Sequence, residues 1–116
     1  MAKNELELRT QKFALRVIRF VSAFPQTKVG DVVGKQVLRS GTSIGANYRE
    51  ANRGESRNDF IHKVAIAEKE AAETAYWLEL CEQTPLGSAE ECRVLLQEAN
   101  ELLAILVTIG KKSKGK

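Results

Sequence analysis

From Leu6 onward, apolar residues return at Phe13, Val17, Phe20 and Phe24, three or four positions apart, the period of one helix face turned to a core. Pro25 lacks an N–H and pushes its predecessor out of helical geometry, so the pattern predicts a first helix over about residues 4–24. A second run continues through Val33, Val37, Ile44 and Tyr48, predicting a helix over 29–53, although it also holds Gly30, Gly34, Gly41 and Gly45. Each glycine costs a helix about 1 kcal/mol relative to alanine. Gly34, Leu38, Gly41, Gly45 and Tyr48 nevertheless keep helical spacing, as expected where another backbone comes close. The competing possibility is a break at Ser40-Gly41-Thr42-Ser43 that leaves two short helices.

Ser56 and Asp59 have the spacing of a capping box. The seam that follows, Phe60, Val64, Ala67, Ala71, Thr74, Leu78 and Cys81, predicts a third helix over 57–84, closed by Pro85. Ser88 and Glu91 form a second such box, and Cys92, Leu95, Ala99, Leu102, Leu106 and Ile109 predict a fourth helix over 89–110. Four long helices with short turns and no competing strand predict an all-α, antiparallel up-down-up-down four-helix bundle over residues 1–110. The basic tail 111–116 is expected to be disordered.

The third helix is apolar on more than one side. Ile66, Trp77 and Leu80, joined by Tyr76, lie away from its core seam. A helix apolar on two sides is simplest to explain if a second copy of the chain covers one of them, so homo-oligomerisation is expected. The alternative is that Trp77 flanks the ordinary core and Tyr76 caps it.

A chain of 116 residues with 43% hydrophobic and 28% charged residues is one globular domain, long enough to fold without metal or disulfides. No apolar run approaches the roughly 18 residues of a membrane span and the N-terminus has no signal-like core, so a cytoplasmic protein without membrane contact is expected. The net charge of +3 hides a segregation: residues 1–57 carry +6, residues 58–110 carry −7 and the tail +4. Such a split fits either complementary packing within or between subunits or a basic face kept for a polyanion.

Catalytic and metal chemistries find little support. A di-iron bundle needs Glu-x-x-His motifs from two helices, and this chain has one histidine, His62, in Asp59-x-x-His62. Cys81 and Cys92 flank the Pro85 turn on core seams without the partners of a zinc site, and reduced core packing is their expected role. No nucleophile elbow, phosphate-binding loop or dinucleotide fingerprint occurs, and Ser43 with His62 lacks a third group. No metal, no cofactor and no enzymatic activity are therefore expected.

Surface charge carries more. Arg9, Lys12, Arg16 and Arg19 form a helical stripe, and Arg39, Arg49 and Arg53 on the second helix with Arg57 in the following turn extend the set of bases that could track nucleic-acid phosphates. No aromatics are interleaved, so binding would be backbone-directed and salt-sensitive. Arg39, Ser43, Asn47 and Glu50 make a polar row beside the glycines. A hairpin about residues 54 and 55 sets Asn47 level with His62 and Arg39 level with Glu70, predicting an Arg39–Glu70 ion pair that fixes register.

The stretch Leu38-Arg39-Ser40-Gly41-Thr42-Ser43-Ile44-Gly45-Ala46-Asn47-Tyr48-Arg49-Glu50-Ala51, with Asp59-Phe60-Ile61-His62-Lys63 and Glu73-Thr74-Ala75-Tyr76-Trp77-Leu78, resembles the bacterial 23S rRNA-intervening-sequence proteins. The resemblance spans nearly the whole chain and is specific in the second and third helices. It implies a small four-helix bundle assembling into a ring, a pentamer, encoded in some bacteria within insertions in ribosomal RNA genes. Related bundles serve as accessory factors of diversity-generating retroelements, where a basic ring surface meets nucleic acid and a reverse transcriptase, so RNA or DNA and a protein of that kind are implied partners. The family name locates genes and by itself establishes neither rRNA binding nor a reaction. Two readings follow: a non-enzymatic homo-oligomeric accessory protein that binds nucleic acid through its first two helices, or a structural assembly module whose basic half pairs with the acidic half of neighbouring subunits.

Overall fold

The computed structural model describes residues 1–115, which form four α-helices: α1 (Lys3–Ser22), α2 (Lys28–Asn52), α3 (Arg57–Glu82) and α4 (Ala89–Lys114). Each helix packs against its neighbour in the chain and α1 closes the bundle against α4, while the diagonal pairs stay apart. The result is the expected antiparallel up-down-up-down bundle, a rod of about 47 × 20 × 20 Å. Its centre holds the seam residues: Leu6, Phe13 and Val17 from α1, Val37 and Ile44 from α2, Val64 and Leu78 from α3, and Leu95, Leu102 and Leu106 from α4 are all buried. Each such aliphatic or aromatic side chain contributes about 1.5–3 kcal/mol on leaving water, which outweighs the poor helix propensity of the glycines.

Hydroxyl side chains cap the starts of α2, α3 and α4. The hydroxyls of Thr27, Ser56 and Ser88 accept hydrogen bonds from the backbone N–H groups of Gly30, Asp59 and Glu91 at 3.0, 3.1 and 3.2 Å. The returning arm of the fourth-helix capping box is diverted, because the Glu91 carboxylate reaches across to Arg16.

α2 runs unbroken through Ser40-Gly41-Thr42-Ser43. Its hydroxyls are satisfied within the helix: Ser40 Oγ donates to the Gln36 carbonyl at 2.7 Å, Thr42 Oγ1 to Leu38 at 2.8 Å and Ser43 Oγ to Arg39 at 2.6 Å. Its glycines admit α1. A β-carbon on Gly41 would lie 3.0 Å from both Val17 methyls, and one on Gly45 2.8 Å from Thr10 Oγ1. At the opposite end Gly87 takes a positive φ of 77° and packs under the rings of Phe20 and Phe24.

Three boundaries correct the sequence reading. α1 ends at Ser22 rather than Phe24, because the chain turns there to set Phe24 edge-on against Phe20, ring centroids 5.0 Å apart. α3 ends at Glu82, two residues before the expected limit. α4 does not stop at Gly110: that residue is a buried helical position and the helix continues to Lys114, so the tail expected to be disordered is helical to that point. Position 116 lies outside the described residues.

Candidate functional site

The bases that the sequence groups together point into different seams. On α1, Arg9 turns to α4, where Nε and Nη2 donate to the two carboxylate oxygens of Glu98 at 2.7 and 2.8 Å, and Nη2 also reaches Glu101 at 2.8 Å. Arg16 grips Glu91 in the same two-pronged way at 3.0 and 2.8 Å. The hydrogen bonds to Glu98 and to Glu91 hold these guanidinium groups even more firmly charged than usual, against a smaller opposing effect of burial. Lys12 and Arg19, the alternate members of the stripe, are exposed and have no ion pair among the described residues.

On α2, Arg39 faces α3. Nη1 lies 3.3 Å from Glu70, the partner that the hairpin register requires, and Nη2 bonds Glu73. Glu73 in turn accepts the Trp77 indole N–H at 3.3 Å. Arg49 and Arg53 turn the other way, to Glu7 of α1 at 3.4 and 3.8 Å, and Glu7 also accepts from Asn52 Nδ2 at 2.8 Å. Glu50 pairs with Lys63 at 2.9 Å. Asn47 does not reach His62 as a partner; its Nδ2 donates to the Ser43 carbonyl at 2.8 Å.

The expected footprint is thus divided among three helix seams, and much of its charge is met by carboxylates. Those carboxylates belong to the same chain, not to a neighbouring subunit. Arg9, Arg16 and Arg39 of the basic half meet carboxylates of the acidic half within the chain, while Arg49 and Arg53 share Glu7 of their own half; the separation of 89 positions between Arg9 and Glu98 conceals the first of these pairs in the sequence.

A different set of cations gathers at one end of the rod. There α1 and α3 begin and α2 and α4 finish, and Lys3, Arg57 and Lys112 line one cleft with Ala51, Asn52, Gly54, Phe60 and Ser113. Of these three cations only Arg57 falls within the helices and turns that the apolar pattern predicts as the basic surface, since that pattern closes the fourth helix at Gly110. The extension to Lys114 brings Lys111, Lys112 and Lys114 into the last turn.

The expected second face of α3 is divided as well. Tyr76 is 54% exposed and Leu80 39%, while Trp77 and Ile66 are half-buried, Trp77 packing on the flank of the core. Two residues that the sequence pattern does not assign to this face join them, Val29 and Val32 of α2, 60% and 55% exposed. The Arg39–Glu73 and Glu50–Lys63 pairs set a register in which Val32 stands level with Leu80, each two turns beyond its charged neighbour on the same outward side. The single-residue spacing rule could not reveal this strip, because it crosses two helices.

Cys81 and Cys92 are buried and unbridged. Burial pushes the Cys81 thiol up to about 12 and raises Cys92, whose Sγ contacts the Leu78 carbonyl at 3.2 Å. Both are inert core groups. No helix is long and apolar enough to cross a membrane among the described residues, and no three His, Cys, Asp or Glu side chains converge there.

Fold and surface together define a charge-paired antiparallel four-helix bundle with an apolar strip along one pair of helices. The chain belongs to the 23S rRNA-intervening sequence protein family, whose model matches residues 3–108. It is similar to a solved protein of unknown function from the S23 ribosomal protein family of Bacteroides thetaiotaomicron VPI-5482, with 40% identity, a TM-score of 0.84, and coverage of 91% of this chain and 98% of that one. No match was found among curated proteins.

Proposed function

We propose that the protein is a non-enzymatic accessory protein that assembles with copies of itself into a closed ring, of five copies if it follows the family resemblance. The observation that carries this reading is the strip of Val29, Val32, Tyr76 and Leu80 beside half-buried Trp77. Such a patch on the long side of a rod is costly to leave in water and suits a repeating side-to-side contact. The internal cancellation of Arg9, Arg16 and Arg39 fits too, since a lateral interface tolerates neutralised pairs better than lone charges. Light scattering tests it. The wild-type protein should run as a discrete multiple of 12.9 kDa, and Val32→Lys with Leu80→Lys should lower the mass while circular dichroism stays helical. A wild-type monomer at 100 μM (about a hundredfold above a micromolar dissociation constant) would overturn it.

Nucleic acid, RNA or DNA, is the second element of the reading, and the cationic end of the bundle favours it. In an accessory role the assembled protein would present that charge to a polyanion, with a polymerase-type protein partner as the resemblance suggests.

A further inference from the structure

We infer that the bundle end lined by Lys3, Arg57 and Lys112, and not the α1 stripe, is where this protein takes the phosphodiester backbone of a nucleic acid. The inference rests on the nucleic-acid part of the proposed function and assigns its place. Three separate elements deliver these cations to one cleft: Lys3 opens α1, Arg57 opens α3 and Lys112 lies in the last turn of α4. Among the described residues, no Asp or Glu side chain lines that cleft.

Local helix electrostatics explains only part of the arrangement. Lys111, Lys112 and Lys114 face the negative C-terminal end of α4 and stabilise it. Lys3 and Arg57 do the opposite. Each occupies the first position of its helix, where the exposed N–H groups already carry positive potential and a cation is unfavourable. Glu5 and Asp59 offset this within the same first turns but lie outside the lining of the cleft. Two cations set against their own helix dipoles, beside a basic helix end, concentrate positive potential at one end of the rod. That potential is what an anionic backbone recognises.

The α1 stripe offers less. Arg9 and Arg16 already hold Glu98, Glu101 and Glu91, so a phosphate there must compete with chelating carboxylates. Lys3, Lys111, Lys112 and Lys114 have no ion pair among the described residues.

The test compares two variants with equal charge loss: K3Q/K112Q/K114Q at the bundle end and K12Q/R19Q/K35Q along α1 and α2. Binding of a labelled 20-nucleotide RNA and a 20-base-pair DNA duplex is followed by anisotropy from about 50 to 200 mM KCl. The bundle-end variant should lose about tenfold or more in affinity at the lowest salt and flatten the salt dependence by two to three charges, whereas the control loses about threefold or less. The probe bound more tightly tells RNA from DNA as the source of the backbone. Equal losses, or a larger loss in the control, overturn the assignment while leaving nucleic-acid binding standing. Absence of wild-type binding to either probe overturns both. Should the triple variant fold poorly, acetylation of the wild-type complex gives the same answer: Lys3, Lys112 and Lys114 should be protected relative to Lys12 and Lys35, and the reverse pattern refutes the inference.

Discussion

Arg9 of α1 and Glu98 of α4 form a two-pronged ion pair, 2.7 and 2.8 Å, across the seam that closes the bundle. Both side chains are partly shielded, so the pair is stronger than an ordinary surface contact yet still screened by water. A double-mutant cycle with Arg9→Ala and Glu98→Ala should return a coupling of about 1 kcal/mol by urea denaturation, shrinking in 1 M salt. The same Arg9→Ala variant should bind nucleic acid nearly as well as wild type, because its guanidinium is already occupied.

Glycine substitutions should separate by location. Alanine at Gly110 meets only Glu68 Oε2 at 3.7 Å and Val64 Cγ1 at 3.9 Å, ordinary contacts, so Gly110→Ala should stabilise by up to about 1 kcal/mol through helix propensity. Alanine at Gly45 meets the buried Thr10 side chain at 2.8 Å, so Gly45→Ala should lower the melting temperature despite the same propensity gain. Thr10→Ala in that background removes the offending oxygen and should recover part of the loss. Thermal melts of the four proteins check the ordering.

These two glycines also show what the sequence makes legible. The spacing of Gly34, Gly41 and Gly45 announced a close helix approach, and α1 supplies it through Val21, Val17 and Thr10. A glycine near the end of an apolar pattern resembles a helix terminus, so the pattern places the end of the fourth helix at Gly110, whereas Gly110 is a small buried position within α4. The Arg39–Glu70 pair was readable because one short turn fixes the register between adjacent helices. Arg9 with Glu98 was not, since their register depends on every intervening turn, and the cationic bundle end stayed hidden for the same reason.

The buried thiols set an alkaline limit. Burial pushes Cys81 up to about 12, against an unfolded value of roughly 8.5. Between those values the unfolded chain has released a proton that the folded chain keeps, so folding stability is full below about pH 8.5 and falls as pH rises through the window. Urea midpoints from pH 8 to 10 should decline more steeply for wild type than for Cys81→Ala. Native thiols should also resist a disulfide reagent that labels both cysteines in urea; rapid native labelling at pH 8 would contradict their burial.

Trp77, the chain's one tryptophan, reports on the α2–α3 seam because its indole N–H donates to Glu73, the carboxylate that also holds Arg39. Removing Arg39 leaves that indole bond in place, so Arg39→Ala should weaken the bundle by about 1 kcal/mol with little change in emission wavelength. Glu73→Ala removes both bonds and turns the indole toward water, so its emission should shift to the red. The shift can be read at two protein concentrations. If copies pack on the strip beside Trp77, dilution that lowers the mass should also red-shift the wild-type emission, and an emission maximum independent of assembled mass would place the contact between copies elsewhere on the rod.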